Sequence, residues 1–239
     1  MANKIFTLIG DSLSMTRIDD GITLENTYIY KIFDILLKKP FICNGSIRGN
    51  STLISSSTSY YKEYLESNKN NNYIIIHLGI VDCSPRIFNK IEKKIIDCTL
   101  GISVVNKFTK LFLNYRTKNR FYYTKKNSYV EVNIDEFDKN IRKIIKQLLE
   151  LNYNLKKIFL INIASSNDYI KSKSYNIESN IIQYNKIYDD VAQSFQKIVD
   201  IIDVYSFTKN NLDGLLNDGQ HISSKTHDFI ANEIIKRVE

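Results

Sequence analysis

Short apolar runs alternate along this chain with stretches whose apolar residues recur every three or four positions, and that alternation restricts the fold more than any other feature. Runs of strand length fall at 4–9, 41–43, 73–78, 157–163 and 201–205, and helical periods at 26–38, 60–67, 134–151, 177–198 and 223–238. In the first long helix Ile29, Ile32, Phe33, Leu36 and Leu37 share a face, and in the third Phe137, Ile141, Ile144, Ile145 and Leu148 do the same. Strands that are apolar at consecutive positions are buried on both faces. Linked through helices by right-handed crossovers, they predict an α/β fold: a three-layer, doubly wound sheet of about five parallel strands.

With 239 residues, 43% of them hydrophobic and 25% charged, the chain can bury a core and is neither a disordered tail nor a fibrous protein. The 8 Gly and 2 Pro form no linker, so a single domain over 1–239 is expected. Residues 84–132 break the alternation and read as an insertion between the third strand and its helix. No run approaches the ~18 apolar residues of a membrane span. The apolar stretch near Met1 is too short for a signal-peptide core and reads as a first strand, so a cytoplasmic protein is expected. Cys43, Cys83 and Cys98 are odd in number and lack CxxC spacing, which suggests a reducing compartment and neither a disulfide framework nor a zinc site.

The net charge of +7 has a single source. Residues 107–127 hold Lys107, Lys110, Arg116, Lys118, Arg120, Lys125 and Lys126 without one acid, and the remaining basic residues balance the 26 acidic ones. Phe108, Phe112, Tyr115, Phe121, Tyr122 and Tyr123 are interleaved with them. The segment reads as a solvated insertion, a lid, a dimer surface or a patch for an anionic substrate or partner, beside the carboxyl edge of the sheet. No nucleic-acid motif accompanies it, so a nucleic-acid partner is not expected.

Ligands of doubly wound sheets bind at the carboxyl ends of the strands, here the loops 10–17, 44–52, 79–87, 164–175 and 206–222. The first presents Gly10-Asp11-Ser12 between a strand and a helical turn, where backbone N–H groups and a helix dipole favour a nucleophile. The last holds Asp218-Gly219-Gln220-His221, whose spacing lets a carboxylate reach the imidazole Nδ1 while Nε2 faces outward. Serine, histidine base and carboxylate orienter are the parts of a nucleophilic triad, here in the order Ser, Asp, His. No Gly-x-Ser-x-Gly elbow, Walker loop or dinucleotide glycine motif occurs. The other histidines stand apart, His77 as a core or rim residue and His227 as a surface or interface residue of the last helix. They leave no metal-binding cluster, and Cys83 reads as packing.

These residues resemble the SGNH (GDSL-type) hydrolase superfamily, whose nucleophile follows the first strand in Gly-Asp-Ser and whose Asp and His come from a late Asp-x-x-His. The segment 44–52 resembles the second block of that family, and the resemblance implies that the Gly49 N–H joins that of Ser12 in the oxyanion hole. Leu78-Gly79-Ile80-Val81-Asp82 falls where the third block, Gly-x-Asn-Asp, belongs, with Val81 in place of the Asn that donates an amide. Asn50 and Arg86 are the candidates to replace that donor. Asp11, Asp82 and Arg86 are the candidate substrate-binding residues, Arg86 through a carboxylate or phosphate and Asp11 also as a cap on its own loop. The resemblance implies a flavodoxin-like fold, no metal and no organic cofactor. It also implies a serine-dependent acyl-ester hydrolase acting on small acyl groups, often acetyl, on carbohydrates or lipids. An O-acyltransferase modifying a surface polysaccharide and a catalytically inactive binding protein are the alternatives.

Overall fold

The computed structural model describes residues 5–36, 41–69, 71–99 and 105–238. Five strands, β1 (Ile5–Gly10), β2 (Phe41–Asn44), β3 (Tyr73–His77), β4 (Lys157–Ile161) and β5 (Val199–Ile202), form one parallel sheet in the order β2-β1-β3-β4-β5. The order reverses at β1, so the loop after β1 opens at the topological switch point, where such sheets bind their ligands. Gly10 and His77 are register partners at that end, and Leu8 pairs with Asn44 on the other side.

Consecutive strand residues feed opposite faces. Ile74, Ile76, Ile158 and Leu160 pack beneath α6 (Ile134–Leu151) and α8 (Ile177–Ser194), while Tyr73, Ile75, Phe159 and Ile161 meet α1 (Tyr28–Ile35) and α10 (Ser224–Val238). The expected helical face of α6 is the buried one, with Phe137, Ile141, Ile144, Ile145 and Leu148 all within the core. Short helical turns between 52 and 68 precede β3. The remaining helices are α2 (Ile80–Cys83), α3 (Lys90–Thr99), α4 (Val105–Lys118), α5 (Arg120–Asn127), α7 (Asp168–Lys173) and α9 (Val204–Asn210). No helix among the described residues is long and apolar enough to cross a membrane.

Several boundaries differ from the sequence expectation; the fourth strand, expected to 163, ends at Ile161. The last strand runs over 199–202 rather than 201–205, because Asp203 accepts from Ser206 N–H at 3.0 Å and caps α9. Apolar residues lie on both sides of Asp203, Ile201 and Ile202 before it and Val204 after it, so the apolar pattern alone does not mark the cap. α8 ends at Ser194, not 198. The first helix runs over 28–35 behind a 3₁₀ turn at 24–26, and Lys4, Leu37 and Lys38 of the expected elements lie outside the described residues.

Where it is described, the segment 84–132 is mainly helical, with α3, α4 and α5 in it. It sits beside the carboxyl ends of β3 and β4: Arg120 Nη2 donates to the Pro85 carbonyl at 2.9 Å, and Thr124 Oγ1 accepts from Tyr175 N–H at 3.0 Å. Two of the seven basic residues of 107–127 are used internally, Arg120 in that way and Arg116 in a bidentate pair with Glu92 at 2.8 and 3.0 Å. The Arg116 guanidinium also lies 4.5–4.9 Å from the ring centroids of Phe88, Phe112 and Tyr123. Lys110, Lys118, Lys125 and Lys126 are exposed; the side chains of Lys107 and Phe108 lie outside what is described.

Candidate active site

The residues proposed as nucleophile, base and orienter converge from opposite ends of the chain. Ser12 Oγ stands 3.2 Å from His221 Nε2, and His221 Nδ1 stands 2.5 Å from Asp218 Oδ2. Ser12 opens the 3₁₀ turn Ser12–Ser14 behind β1, whose N-cap is Asp11: its Oδ1 accepts from Leu13 N–H at 2.8 Å. His221 is fixed by a turn in which Asp218 Oδ1 accepts from the N–H groups of Gln220 at 3.0 Å and His221 at 2.9 Å. Gly219 sits there at φ +75°, and a Cβ would come within 2.1 Å of Asn167 Oδ1, so the turn requires glycine. Burial opposes the charge on Asp218, but the imidazole and these two backbone donors outweigh it and hold the carboxyl well below the usual range. The carboxylate thus accepts from Nδ1–H and leaves the Nε2 lone pair toward Ser12.

The second block is tied to the nucleophile loop through the Gly10 carbonyl, which accepts from Ile47 N–H at 3.1 Å and from Asn50 Nδ2 at 2.9 Å. Gly49, between them, adopts φ +71°. Among the described residues neither its N–H nor that of Ser12 has a hydrogen-bond partner, which leaves both free for an oxyanion. Asn50 is fully buried, with Oδ1 accepting from Ser55 Oγ at 3.1 Å and one amide hydrogen given to Gly10, so its side chain holds the loop.

The expected substrate-binding roles of Asp11 and Asp82 are corrected, because both side chains are fully buried. Asp82 Oδ1 accepts from Thr52 N–H at 2.9 Å and Thr52 Oγ1 at 2.6 Å, joining the third block to the second. Arg86 is half-buried; its guanidinium donates to the Val81 carbonyl and lies 3.8 Å from Glu131, so it is not directed at Ser12 as an oxyanion donor. Its cavity of about 220 Å³, shared with Phe88, Lys93, Arg120 and Glu131, belongs to the base of the insertion. The Val81 side chain is partly buried against the core.

His227 is buried rather than superficial. It stacks on Tyr28 with ring centroids 5.5 Å apart, and its Nδ1 accepts from Tyr28 N–H at 3.3 Å. His77 contacts the Tyr28 hydroxyl at 3.2 Å, and burial pushes both imidazoles down to about 3. Neither serves as a base near neutrality. Cys83 is buried, as its packing role requires.

One residue at the site escaped sequence reasoning. Arg17, on the loop that returns to Ile22 through paired backbone hydrogen bonds of 2.8 and 3.0 Å, places Nη1 3.1 Å from His221 Nε2. Its Nε donates to Asp20 Oδ2 at 2.8 Å. Only its place in the loop 10–17 pointed to it; no motif includes it.

No protein-family model matches the chain, and no curated protein does. Solved structures do. A lipase/acylhydrolase from Enterococcus faecalis superposes with a TM-score of 0.65 at 14% identity over 98% of this chain and 95% of its own. Axe2, an acetylxylan esterase from Geobacillus stearothermophilus, does so with a TM-score of 0.60 at 15% identity over 98% and 93%. The parallel five-stranded α/β architecture is the SGNH-hydrolase fold.

Proposed function

We propose that this protein is a serine-dependent acyl-ester hydrolase, on the observation that Ser12 Oγ lies 3.2 Å from an imidazole whose other nitrogen is held by Asp218. The activities named for the two structural neighbours support the same class. His221 Nε2 takes the Ser12 proton as Oγ bonds to the acyl carbon, and the Ser12 and Gly49 N–H groups hold the oxyanion. Collapse breaks the bond to the alcohol, which leaves with the proton from Nε2. Water, deprotonated by the same nitrogen, then releases the acid and restores Ser12. A small acyl group, acetyl on a carbohydrate, is the preferred substrate reading, from the acetylxylan activity in the name of one neighbour. The exposed lysines of 107–127 are the proposed contact for an anionic substrate or partner.

A series of p-nitrophenyl esters of increasing acyl length tests this reading. Release is expected to be fastest for acetyl and to vanish in Ser12→Ala; equal release by parent and variant would leave an SGNH-fold protein without this chemistry.

With Asn50 and Arg86 otherwise engaged, the oxyanion hole rests on two backbone donors. Val81→Asn is therefore expected to raise kcat on p-nitrophenyl acetate with little change in KM, toward the roughly 10²-fold that one donor typically contributes. Unchanged kcat in a folded variant would mean that residue 81 does not face the oxyanion.

A further inference from the structure

Two donors converge on one acceptor at His221. Its Nδ1–H is given to Asp218, so Nε2 carries a single in-plane lone pair, and both the Ser12 hydroxyl at 3.2 Å and Arg17 Nη1 at 3.1 Å point at it. A guanidinium has no acceptor and does not lose its proton near neutrality, so in this arrangement it competes with Ser12 for the base. The contact is built into the loop. Asp20 holds the Arg17 Nε, Gly21 closes the turn at φ +79°, and the Ile22 backbone pairs with that of Arg17.

The position of Arg17 also has a directional meaning. In acyl transfer Nε2 receives the serine proton and hands it to the departing alcohol, so a second group that touches Nε2 beside the Ser12 hydroxyl lies next to that alcohol. Arg17 Nη2, 3.7 Å from Asp218 Oδ2, is beyond hydrogen-bond length, and the Arg17 side chain is 24% exposed. It therefore has N–H groups to offer an incoming anion.

We propose that Arg17 is a specificity residue that selects esters whose alcohol portion carries an anionic group, and that binding this anion draws the guanidinium off His221 Nε2 and frees the base. The idea rests on the acyl-ester reading above and names the substrate class for that site. A carboxylate bonded to Nη1 at about 3 Å reaches the ester oxygen across one or two carbons, as in acylated 2-hydroxy or 3-hydroxy acids. A neutral ester is hydrolysed against the competition of Arg17.

O-Acetyl-lactate and O-acetyl-lactamide share a shape and differ in charge. Acetate release by the parent is expected to favour the lactate ester by about tenfold or more in kcat/KM. Arg17→Gln is expected to abolish that preference while raising kcat on the lactamide ester several-fold, and Arg17→Lys to retain part of the preference. A parent without the preference, or a preference that survives Arg17→Gln, overturns the proposal. The rate at which a neutral fluorophosphonate labels Ser12 reads the same lone pair without a substrate and is expected to rise several-fold in Arg17→Gln. Equal labelling rates in parent and variant count against Arg17 alone. No Ser12-dependent labelling in either removes the acyl-ester reading, and the Arg17 proposal with it.

Discussion

Asp218→Asn is expected to lower kcat on p-nitrophenyl acetate by about 10⁴-fold while leaving the fold intact, the scale found when an orienting carboxylate becomes an amide. The turn explains why the loss should be so large. Asp218 Oδ1 already accepts two backbone N–H bonds, from Gln220 and His221, and an amide nitrogen cannot accept them. The substituted side chain must therefore keep its oxygen there and turn its NH₂ toward His221 Nδ1. The imidazole then places its proton on Nε2, where it faces the Ser12 hydroxyl and the Arg17 guanidinium as a third donor, and no base remains. Activity and circular dichroism measured on the same preparation check the outcome; a folded variant within tenfold of the parent would show that the carboxylate does not set the tautomer.

The second large effect concerns stability. Burial pushes the Asp11 carboxyl up to about 7, with the nearby Asp82 adding repulsion and the Leu13 N–H bond opposing; burial likewise pushes Asp82 up to about 6. The Asp11 Oδ2 atom has no partner among the described residues. An unfolded Asp11 loses its proton near pH 4, whereas the folded one keeps it to about pH 7. Its contribution to stability is therefore fully present below pH 4 and is lost as pH rises to 7. The loss is on the order of 4 kcal/mol, from about 3 pH units at ~1.4 kcal/mol each. Asp11→Asn keeps an oxygen for Leu13 N–H and cannot ionise, so its stability relative to the parent should rise by roughly that amount between pH 4 and 8. Urea melts at those two pH values measure the difference. A gap independent of pH would mean that Asp11 is ionised throughout.

The features legible in the sequence are those that physical chemistry writes locally. Unbroken apolar runs such as Ile74–Ile76 require burial on both faces, and the apolar face of 134–151 requires a helix against a sheet; both stand in the structure. The proximity of Ser12, Asp218 and His221 was also legible, because each has a motif at a strand or helix end. What the sequence hid depends on tertiary distance. Asp11 and Asp82 look like site residues until their burial is known, and Asn50 looks like a free amide until Gly10 is seen to accept from it. Arg17 is one of many surface-type arginines until the chain folds it onto an imidazole 204 residues away. The cap at Asp203 ends the last strand at Ile202 and starts a helix at Val204, although apolar residues stand on both sides of it.

The nucleophile loop and the histidine turn are 209 residues apart, and the helix that follows the turn is clasped to α1 through the stacked rings of Tyr28 and His227. On the ribosome the serine is therefore made long before its base. A nascent chain carries an unarmed Ser12 until residues 218–238 clear the exit tunnel and α10 docks. On the proposed reading, a polypeptide that ends before His221 carries the nucleophile without its base, and the site is complete only in chains translated beyond the histidine turn.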